Sequence, residues 1–249
     1  MQVLLFTLHA PLVAYGDHGA RTSRRSSWDR PTRTATLGLV AAALGIDRSD
    51  HEQHLALHEG LGFAVRVDAT GRSLTDYHTF DVGKGAHLAL ARSRADELDG
   101  PTQTTITYRE YRTDALHTVA LWLTGDCPWT LDQIQAALRR PHWILYLGRR
   151  SCIPALPLKP TIVDAATIPA AFALHPPIPE QLAADLRLDL DCHPIIAADV
   201  GAPGVTPLRV EQRHDGYHHT RGDLRTFVER QEWVMPLLSG DTDHSAEAG

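Results

Sequence analysis

The sequence predicts an α+β fold whose elements run in the order strand, helix, strand, strand, helix, strand. Two observations support this prediction. Apolar and polar residues alternate, as they do in half-buried strands, at Gly62–Asp68 and Ala115–Thr124. Apolar residues recur at helical spacing in Thr32–Leu44 and Thr130–Arg139. The resulting order is the ferredoxin-like βαββαβ arrangement.

The first elements follow from local patterns near the N-terminus. The apolar run Val3–His9 predicts the first strand. The segment Thr32–Leu44 predicts a helix, because Thr and Pro at its start and Gly45 after its end are typical helix boundaries. A second, short helix is predicted over Asp50–His58.

The remaining elements complete the unit. The pattern of Gly62–Asp68 places its apolar residues in the core, whereas Arg66 and Asp68 are expected to face solvent. The helix Thr130–Arg139 begins at a threonine suited to capping. The apolar segment His142–Leu147 predicts the last strand.

A long insertion separates the two middle strands, over about Thr75–Thr113. It exceeds the length of an ordinary connection. Its return segment alternates threonines, so we predict a protruding excursion with a hairpin at its base. The Gly83–Gly85 segment is not a phosphate-binding P-loop, because no Ser or Thr follows Lys84 and His78 stands where the first glycine belongs.

The chain is predicted to divide near residue 150. Residues 1–150 form the βαββαβ domain with its insertion, and 151–249 form a Pro-rich connection followed by a β-rich region. Strand-like segments at Val205–Val210 and Arg225–Met235 indicate that this region packs on the first. The tail from about residue 239 is predicted to be disordered.

Charge is distributed unevenly along the chain. The formal net charge is −6, yet arginines concentrate in Arg21–Arg33 and Arg139–Arg150. A basic face and an acidic face are therefore expected. Three scattered cysteines exclude a disulfide framework, and no histidine cluster completes a metal-ligand set, so no metal or cofactor is predicted. No secretory signal or membrane span is evident, which predicts a cytoplasmic protein.

The run Tyr146–Cys152, YLGRRSC, has the character of a phosphate-binding segment. Gly148 allows close approach of the main chain, and Arg149 and Arg150 offer paired guanidinium donors. An isolated Arg-Arg pair more often forms ion pairs at the surface. A second basic segment earlier in the chain strengthens the phosphate interpretation.

That earlier segment contains Arg21, Arg24, Arg25, Arg30 and Arg33, with Trp28 among them. Guanidinium groups around an aromatic ring suit a nucleic-acid backbone with a base stacked on the ring. The alternative is a solvated basic loop whose Trp packs into the core. The start of the following helix would favour the same negative ligand through its free amides.

Several ordered stretches resemble the CasD-type subunits of type I-E CRISPR Cascade, which belong to the repeat-associated RNA-binding superfamily. These stretches are Arg30–Arg33, Leu37–Ile46, Phe63–Asp68, Thr75–Thr79, Tyr108–Ala115, Val119–Thr124, Tyr146–Cys152 and Glu229–Val234. The resemblance covers most of residues 1–155 and weakens after that. It implies an RNA-recognition-motif (RRM)-like fold, in which the insertion at about 75–113 is a thumb that extends along the RNA.

The resemblance also implies a function. The family's subunit is a non-enzymatic component that holds the 5′ handle of the CRISPR RNA at one end of the complex. It contacts the first backbone subunit and the large subunit, and it meets target DNA only indirectly. The predicted RNA-binding residues are Arg24, Arg25, Trp28, Arg30, Arg33, Thr34, Tyr77, His78, Tyr108, Arg109, Tyr146, Gly148, Arg149 and Arg150.

Two other functions remain open at this point. A related branch of the superfamily cuts precursor RNA without metal, and Tyr77, His78 and Lys84, with Tyr108 beside them, are the candidate catalytic residues for such an endoribonuclease. An unrelated protein-interaction module is the third possibility. Each aromatic taken singly is also a common core residue.

Overall fold

The computed structural model describes residues 1–16, 23–85, 91–176, 178–219 and 225–237, and the backbone alone over 214–219 and 225–228. The strands are β1 (Gln2–Val13), β2 (Tyr15–Gly16), β3 (Arg24–Arg25), β4 (Ser27–Trp28), β5 (Leu61–Ala69), β6 (Arg72–Gly83), β7 (Thr102–Leu123), β8 (Thr161–Asp164), β9 (Ile195–Asp199), β10 (Arg209–His219) and β11 (Arg225–Pro236). The helices are α1 (Arg33–Leu44), α2 (His51–Gly60), α3 (Arg94–Leu98), α4 (Leu131–Arg139), α5 (Ile168–Ala173) and α6 (Glu180–Asp185). None of the helices so described is long and apolar enough to cross a membrane.

One sheet runs through both halves of the chain in the order β10-β11-β9-β5-β7-β1-β8, and its neighbouring strands are antiparallel. Within it, β1, α1, β5, β7, α4 and β8 follow one another in the predicted βαββαβ chain order. The α+β class is therefore confirmed. Strands β9, β10 and β11 extend the same sheet, and the boundary near residue 150 stays a prediction.

The core lies on both faces of the sheet, because β1 sends alternate side chains to opposite sides. Leu4, Phe6 and Leu8 pack in one apolar cluster that includes residues of α1 and α4. Val3 and Leu5 pack in a second cluster with residues of α5. The apolar side chains of β1 are therefore buried on both faces of the sheet.

The prediction that Arg66 and Asp68 of β5 face solvent is wrong. Arg66 and Asp68 are both buried, and the Arg66 Nε donates to Asp68 Oδ1 at 2.5 Å. Arg66 Nη1 also donates to the carbonyl oxygen of Phe172 in α5, at 2.6 Å. The strand is covered on both faces because the second half of the chain packs over the side that the alternation assigned to water.

The helix boundaries agree with the sequence. Thr32 caps α1, since its hydroxyl oxygen accepts a hydrogen bond from the Ala35 amide at 3.1 Å, and Gly45 ends it with a φ of 80°. Thr130 caps α4 in a reciprocal arrangement with Gln133. These ends are fixed by contacts within a few residues.

The prediction of a strand over His142–Leu147 is wrong. The segment is irregular, and the amides of His142 and Trp143 donate to carbonyl oxygens at the end of α1. The Leu147 amide donates to Cys152 instead of to a neighbouring strand. Strand β8 takes the fourth position of the unit, paired with β1.

The inserted segment is a hairpin of β6 and the first half of β7. Pairing runs from Arg72 opposite Thr113 to Gly83 opposite Thr102. Nearly all of β6 is exposed, whereas the second half of β7 continues into the buried sheet. The hairpin is thus an extension of a core strand. In the second half, β11 agrees with the predicted Arg225–Met235, β10 begins within Val205–Val210, and the predicted disordered tail lies outside the described residues.

Candidate nucleic-acid interface

The pairing of β6 with β7 places Tyr77 directly opposite Tyr108. Their rings meet edge to face with centroids 5.7 Å apart, so the two side chains share one face of the hairpin. Arg24 of β3 pairs in register with Tyr108, and its Nε donates to Glu110 Oε1 at 2.7 Å. We call this face, defined by Arg24, Tyr77, Tyr108 and Glu110, the aromatic face.

The opposite face carries three arginines. Arg109 and Tyr111 alternate with the residues of the aromatic face and therefore point the other way. Arg25 lies in register with Arg109. The Arg149 guanidinium lies 4.3 Å from the centroid of the Tyr111 ring, and its Nη2 donates to the Arg25 carbonyl oxygen at 3.3 Å. Arg25, Arg109 and Arg149 around Tyr111 form what we call the arginine cluster.

Donor atoms in this region lack acceptors. Arg109 Nε and Arg149 Nη1 are buried and have no hydrogen-bond partner among the described residues. Arg112 Nε, one position beyond Tyr111, is in the same state. A buried charged donor without an acceptor is costly, and anionic oxygens are the acceptors that guanidinium groups bind best. The cluster is therefore chemically suited to an anion such as a phosphate group.

The turn at Gly148 holds Arg149 in place. Gly148 has a φ of 92°, and a Cβ atom at this position would lie 1.7 Å from the Ala14 carbonyl oxygen. Only glycine fits here without displacing the main chain. The close approach is thus to Ala14 of the protein itself and not to a ligand. Tyr146 and Arg150 are exposed on either side of this turn.

Arg30 does not belong to this cluster, which corrects its prediction as a phosphate ligand. It is 1% exposed and donates to Glu232 at 2.6 Å, Glu211 at 2.5 Å and Asp29 at 3.1 Å. Burial alone would lower the pKa of Arg30, but the three carboxylates outweigh it and raise the pKa above its usual value. We call Arg30 with these three acids the ionic network. The Arg30 guanidinium is already bound by protein carboxylates.

Arg33 is also engaged within the protein. Its Nε donates to Asp199 Oδ2 at 3.0 Å, and its Nη2 donates to the carbonyl oxygens of His58 and Leu61. These contacts tie the start of α1 to α2 and β9. The structure therefore does not support Arg33 as a phosphate ligand. Thr34, in the first turn of α1, has a buried hydroxyl oxygen without a partner in the described part of the chain.

Trp28 is half-buried and packs against the main apolar cluster. The Arg213 guanidinium lies 3.8 Å from the centroid of its ring. A protein cation thus covers the ring where a base would stack. The structure favours the packing role for Trp28 that the sequence left open.

The candidate catalytic residues are not brought together. His78 Nε2 lies 2.5 Å from Asp76 Oδ2, but Tyr77 points to the opposite face because successive strand residues alternate. Lys84 lies beyond the end of β6, about 20 Å along the strand from His78 at the usual rise per residue. No group of three or more metal-ligating side chains occurs in the ranges that the structure describes.

Comparison with known proteins decides the family. Residues 3–220 match the family described as CRISPR-associated protein (Cas_Cas5). The chain belongs to this family. It is 36% identical over 167 residues to the CRISPR system Cascade subunit CasD of Escherichia coli strain K12, an alignment covering 62% of this chain and 68% of that protein.

Solved structures agree with this Cas_Cas5 assignment. A chain of a CRISPR RNA-guided surveillance complex superposes with a TM-score of 0.62 at 26% identity, covering 94% of this chain and 89% of that one. A crystal structure of a Cas protein superposes with a TM-score of 0.54 at 24% identity, covering 94% and 93% of the two chains. The second likeness concerns the fold alone.

Sequence reasoning missed three residues on the two faces of this hairpin. Tyr111 supports Arg149, Glu110 pairs with Arg24, and Asp76 pairs with His78. The alternation in the YREYRTDA stretch already indicates that Arg109 and Tyr111 share a face. No local signal joins Arg149 to Tyr111, because their contact depends on the turn at Gly148.

Proposed function

We propose that this protein is the RNA-binding structural subunit of a type I-E CRISPR Cascade surveillance complex. In this role it holds the 5′ handle of the CRISPR RNA and caps one end of the assembly for antiviral defence. Its protein partners are a backbone subunit and the large subunit, through which it meets target DNA indirectly. Family membership and the similarity to a Cascade subunit support this proposal.

The arginine cluster is the observation that carries the RNA-binding part. Arg109 Nε and Arg149 Nη1 are buried donor atoms for which no described residue supplies an acceptor. Phosphate oxygens of an RNA backbone would satisfy these donors with charge-assisted hydrogen bonds. Arg150 and Tyr146 are exposed beside the cluster and extend the surface available to the strand.

The aromatic face supplies a second kind of contact. Tyr77 and Tyr108 are exposed halfway along the paired strands of the thumb, and base stacking on such rings tolerates any sequence. We propose that the RNA backbone follows the arginine cluster and that nucleotides beyond it reach these rings. His78 and Arg24 would contribute at the edges of the path.

The test replaces Arg109 and Arg149 together by alanine in the complex purified with its RNA. Each lost phosphate contact lowers the slope of log affinity against log salt by about 0.7 for single strands, so the double variant should show a slope smaller by about 1.4. RNA retention should fall at least about tenfold at moderate salt. Filter binding across a salt series measures both quantities.

The matched control replaces Arg48 and Arg187, two exposed arginines outside the cluster. It removes the same formal charge and should leave the slope close to that of the unaltered protein. Equal retention and an equal slope in the Arg109/Arg149 variant would reject the cluster as the RNA site.

A second function has one observation in its favour. The His78–Asp76 pair on the exposed hairpin has the form of an oriented general base. Incubating the purified chain with repeat RNA in chelator distinguishes the two roles. Cleavage that is lost in His78→Ala would establish an endoribonuclease, and intact RNA would favour the structural subunit.

A further inference from the structure

A groove of about 640 Å³ lies between the C-terminal end of α4 and the segment that leads into β8. Its walls are mostly aliphatic and proline side chains, supplied by Leu138, Ile144, Leu145, Ile153, Leu156 and Leu158 among others. The RNA-binding proposal uses none of these side chains. The groove therefore needs its own explanation.

Two of the wall residues are unusually open to solvent. Ile144 is 80% exposed and Ile153 is 57% exposed, and Trp143 beside them is exposed as well. A contiguous apolar surface of this kind is uncommon on a protein that acts alone and typically marks an interaction site. Covering these side chains would remove their apolar area from water.

The walls are held in a fixed shape by the main chain. The Ala155 amide donates to the His9 carbonyl oxygen at 2.9 Å, and the Thr7 amide donates to the Leu158 carbonyl oxygen at 2.8 Å. Arg139 Nη2 and Gln135 Nε2 both donate to the Pro160 carbonyl oxygen at 3.2 Å. A preformed groove binds a partner without the entropic cost of ordering its walls.

The positive charge of the groove limits which ligands can bind in it. Arg139 and Lys159 line the groove, and no Asp or Glu stands among the residues that line it in the described structure. This local positive charge occurs on a chain whose net charge is −6. A complementary ligand carries carboxylates near its apolar part.

We propose that this groove binds a segment of a partner protein, one that presents aliphatic side chains flanked by Asp or Glu. An RNA strand is less suitable, because stacking needs rings and phosphate binding needs clustered cations, whereas Ile, Leu and Pro dominate the walls. The proposal rests on the proposed function only in the choice of partners tested. It does not depend on the arginine cluster.

The test introduces a photo-crosslinking amino acid at Ile144 and, separately, at Ile153 in the full chain, co-expressed with the other proteins of the Cascade complex. The control position is Leu208, which is equally exposed and lies outside the groove. We expect both groove positions to crosslink to one segment of a single partner protein that contains aliphatic and acidic residues. Leu208 should not crosslink to that segment.

A second measurement uses substitutions. The Ile144→Asp/Ile153→Asp double variant should retain that partner at least about tenfold less, whereas Ile144→Leu/Ile153→Leu should retain it fully. Both positions are exposed, so the melting temperature of the isolated chain should change little. Crosslinks to RNA, to a second copy of this chain or to nothing would overturn the proposal, as would full retention in the Asp variant.

The two proposals fail in different ways. If the RNA assignment is wrong, the Arg109/Arg149 variant keeps its RNA and the groove crosslinks are unchanged. If the groove proposal is wrong, the Ile144→Asp/Ile153→Asp variant keeps its partner proteins while RNA retention by the isolated chain is unaffected.

Discussion

The ionic network around Arg30 and the arginine cluster around Tyr111 contain the same residue type in opposite states. Arg30 is surrounded by three carboxylates and buried. Arg109 and Arg149 have donors that no described residue accepts. The difference teaches that arginine density does not by itself mark a phosphate site. What matters is whether the fold has already supplied the anions.

Two of the three acids of the ionic network come from far along the chain, whereas Asp29 is adjacent to Arg30. Glu211 lies 181 residues and Glu232 lies 202 residues from Arg30, on β10 and β11. Arg213 of the same hairpin covers the Trp28 ring. The network therefore fastens the C-terminal hairpin to the segment before α1, and its role is structural.

The largest expected effect is a loss of stability on removal of Arg30 from the ionic network. Arg30→Ala removes the guanidinium nearest to fully buried Glu232 and leaves that carboxylate with Arg230 at 3.0 Å and Arg213 at 3.6 Å. We therefore expect a loss of about 3 kcal/mol of unfolding free energy, the lower end of the cost of breaking a buried ion pair. Urea unfolding of the isolated chain measures it. If Arg30 instead bound RNA, the variant would unfold normally and lose only RNA.

Arg24→Ala is the matched control for this prediction. Arg24 also forms an ion pair, with Glu110, but its side chain is 69% exposed. Exposed pairs contribute about 0–1 kcal/mol, so this variant should unfold close to the unaltered protein. Equal losses in both variants would contradict the distinction between the two regions.

A smaller, pH-dependent effect on stability is expected from His117, which lies beside the ionic network. His117 is fully buried and its Nε2 lies 3.0 Å from the Asp29 carbonyl oxygen, next to the ionic network. Burial lowers the pKa of His117 from 6.5 to about 4. The neutral ring is therefore the form that the fold accepts.

The sign of the effect follows from this pKa. As pH falls below 6.5, the unfolded chain takes up the proton first, so the stability conferred by neutral His117 is complete above that pH and is lost towards pH 4. Between pH 6.5 and pH 5 the loss is about 2 kcal/mol. Urea unfolding at several pH values measures it. A His117→Gln variant with the same acid dependence would refute this assignment.

The part of the fold that local chemistry determines could be predicted from the sequence. Thr32 and Gly45 mark the ends of α1 because their capping contacts lie within a few residues. The strand predicted over His142–Leu147 failed because buried Leu145 and Leu147 imitate strand alternation, while the backbone bonds to α1 and Cys152. The periodicity of apolar residues does not indicate hydrogen bonds between separate segments of the chain, because these bonds depend on tertiary structure.

Some features of the candidate site could also be predicted from the sequence, whereas others depend on contacts formed only on folding. The alternation of Arg109 and Tyr111 is visible in the sequence, and the turn at Gly148 is indicated by its glycine. The engagement of Arg30 is not, because Glu211 and Glu232 are far from it in sequence and meet it only after folding. Sequence reasoning identified the basic residues but not the carboxylates that neutralise some of them.

The smallest expected effect tests whether carboxylates decide the state of an arginine. Arg24 is an intermediate case, since Glu110 accepts from its Nε at 2.7 Å while most of the Arg24 side chain is exposed. Glu110→Gln keeps an acceptor oxygen and removes the negative charge. Arg24 should then bind RNA more strongly, and affinity should rise about twofold to fivefold for an exposed pair worth about 0.5–1 kcal/mol.

Fluorescence anisotropy with repeat-derived RNA across a salt series measures this change, and the salt dependence should steepen as Arg24 gains a phosphate contact. Glu97→Gln is the matched control, because Glu97 pairs with Arg94 in α3 outside both faces. An unchanged affinity in Glu110→Gln would place Arg24 off the RNA path. A gain confined to Glu110→Gln would mean that removing one carboxylate moves an arginine from the state of Arg30 towards that of Arg149.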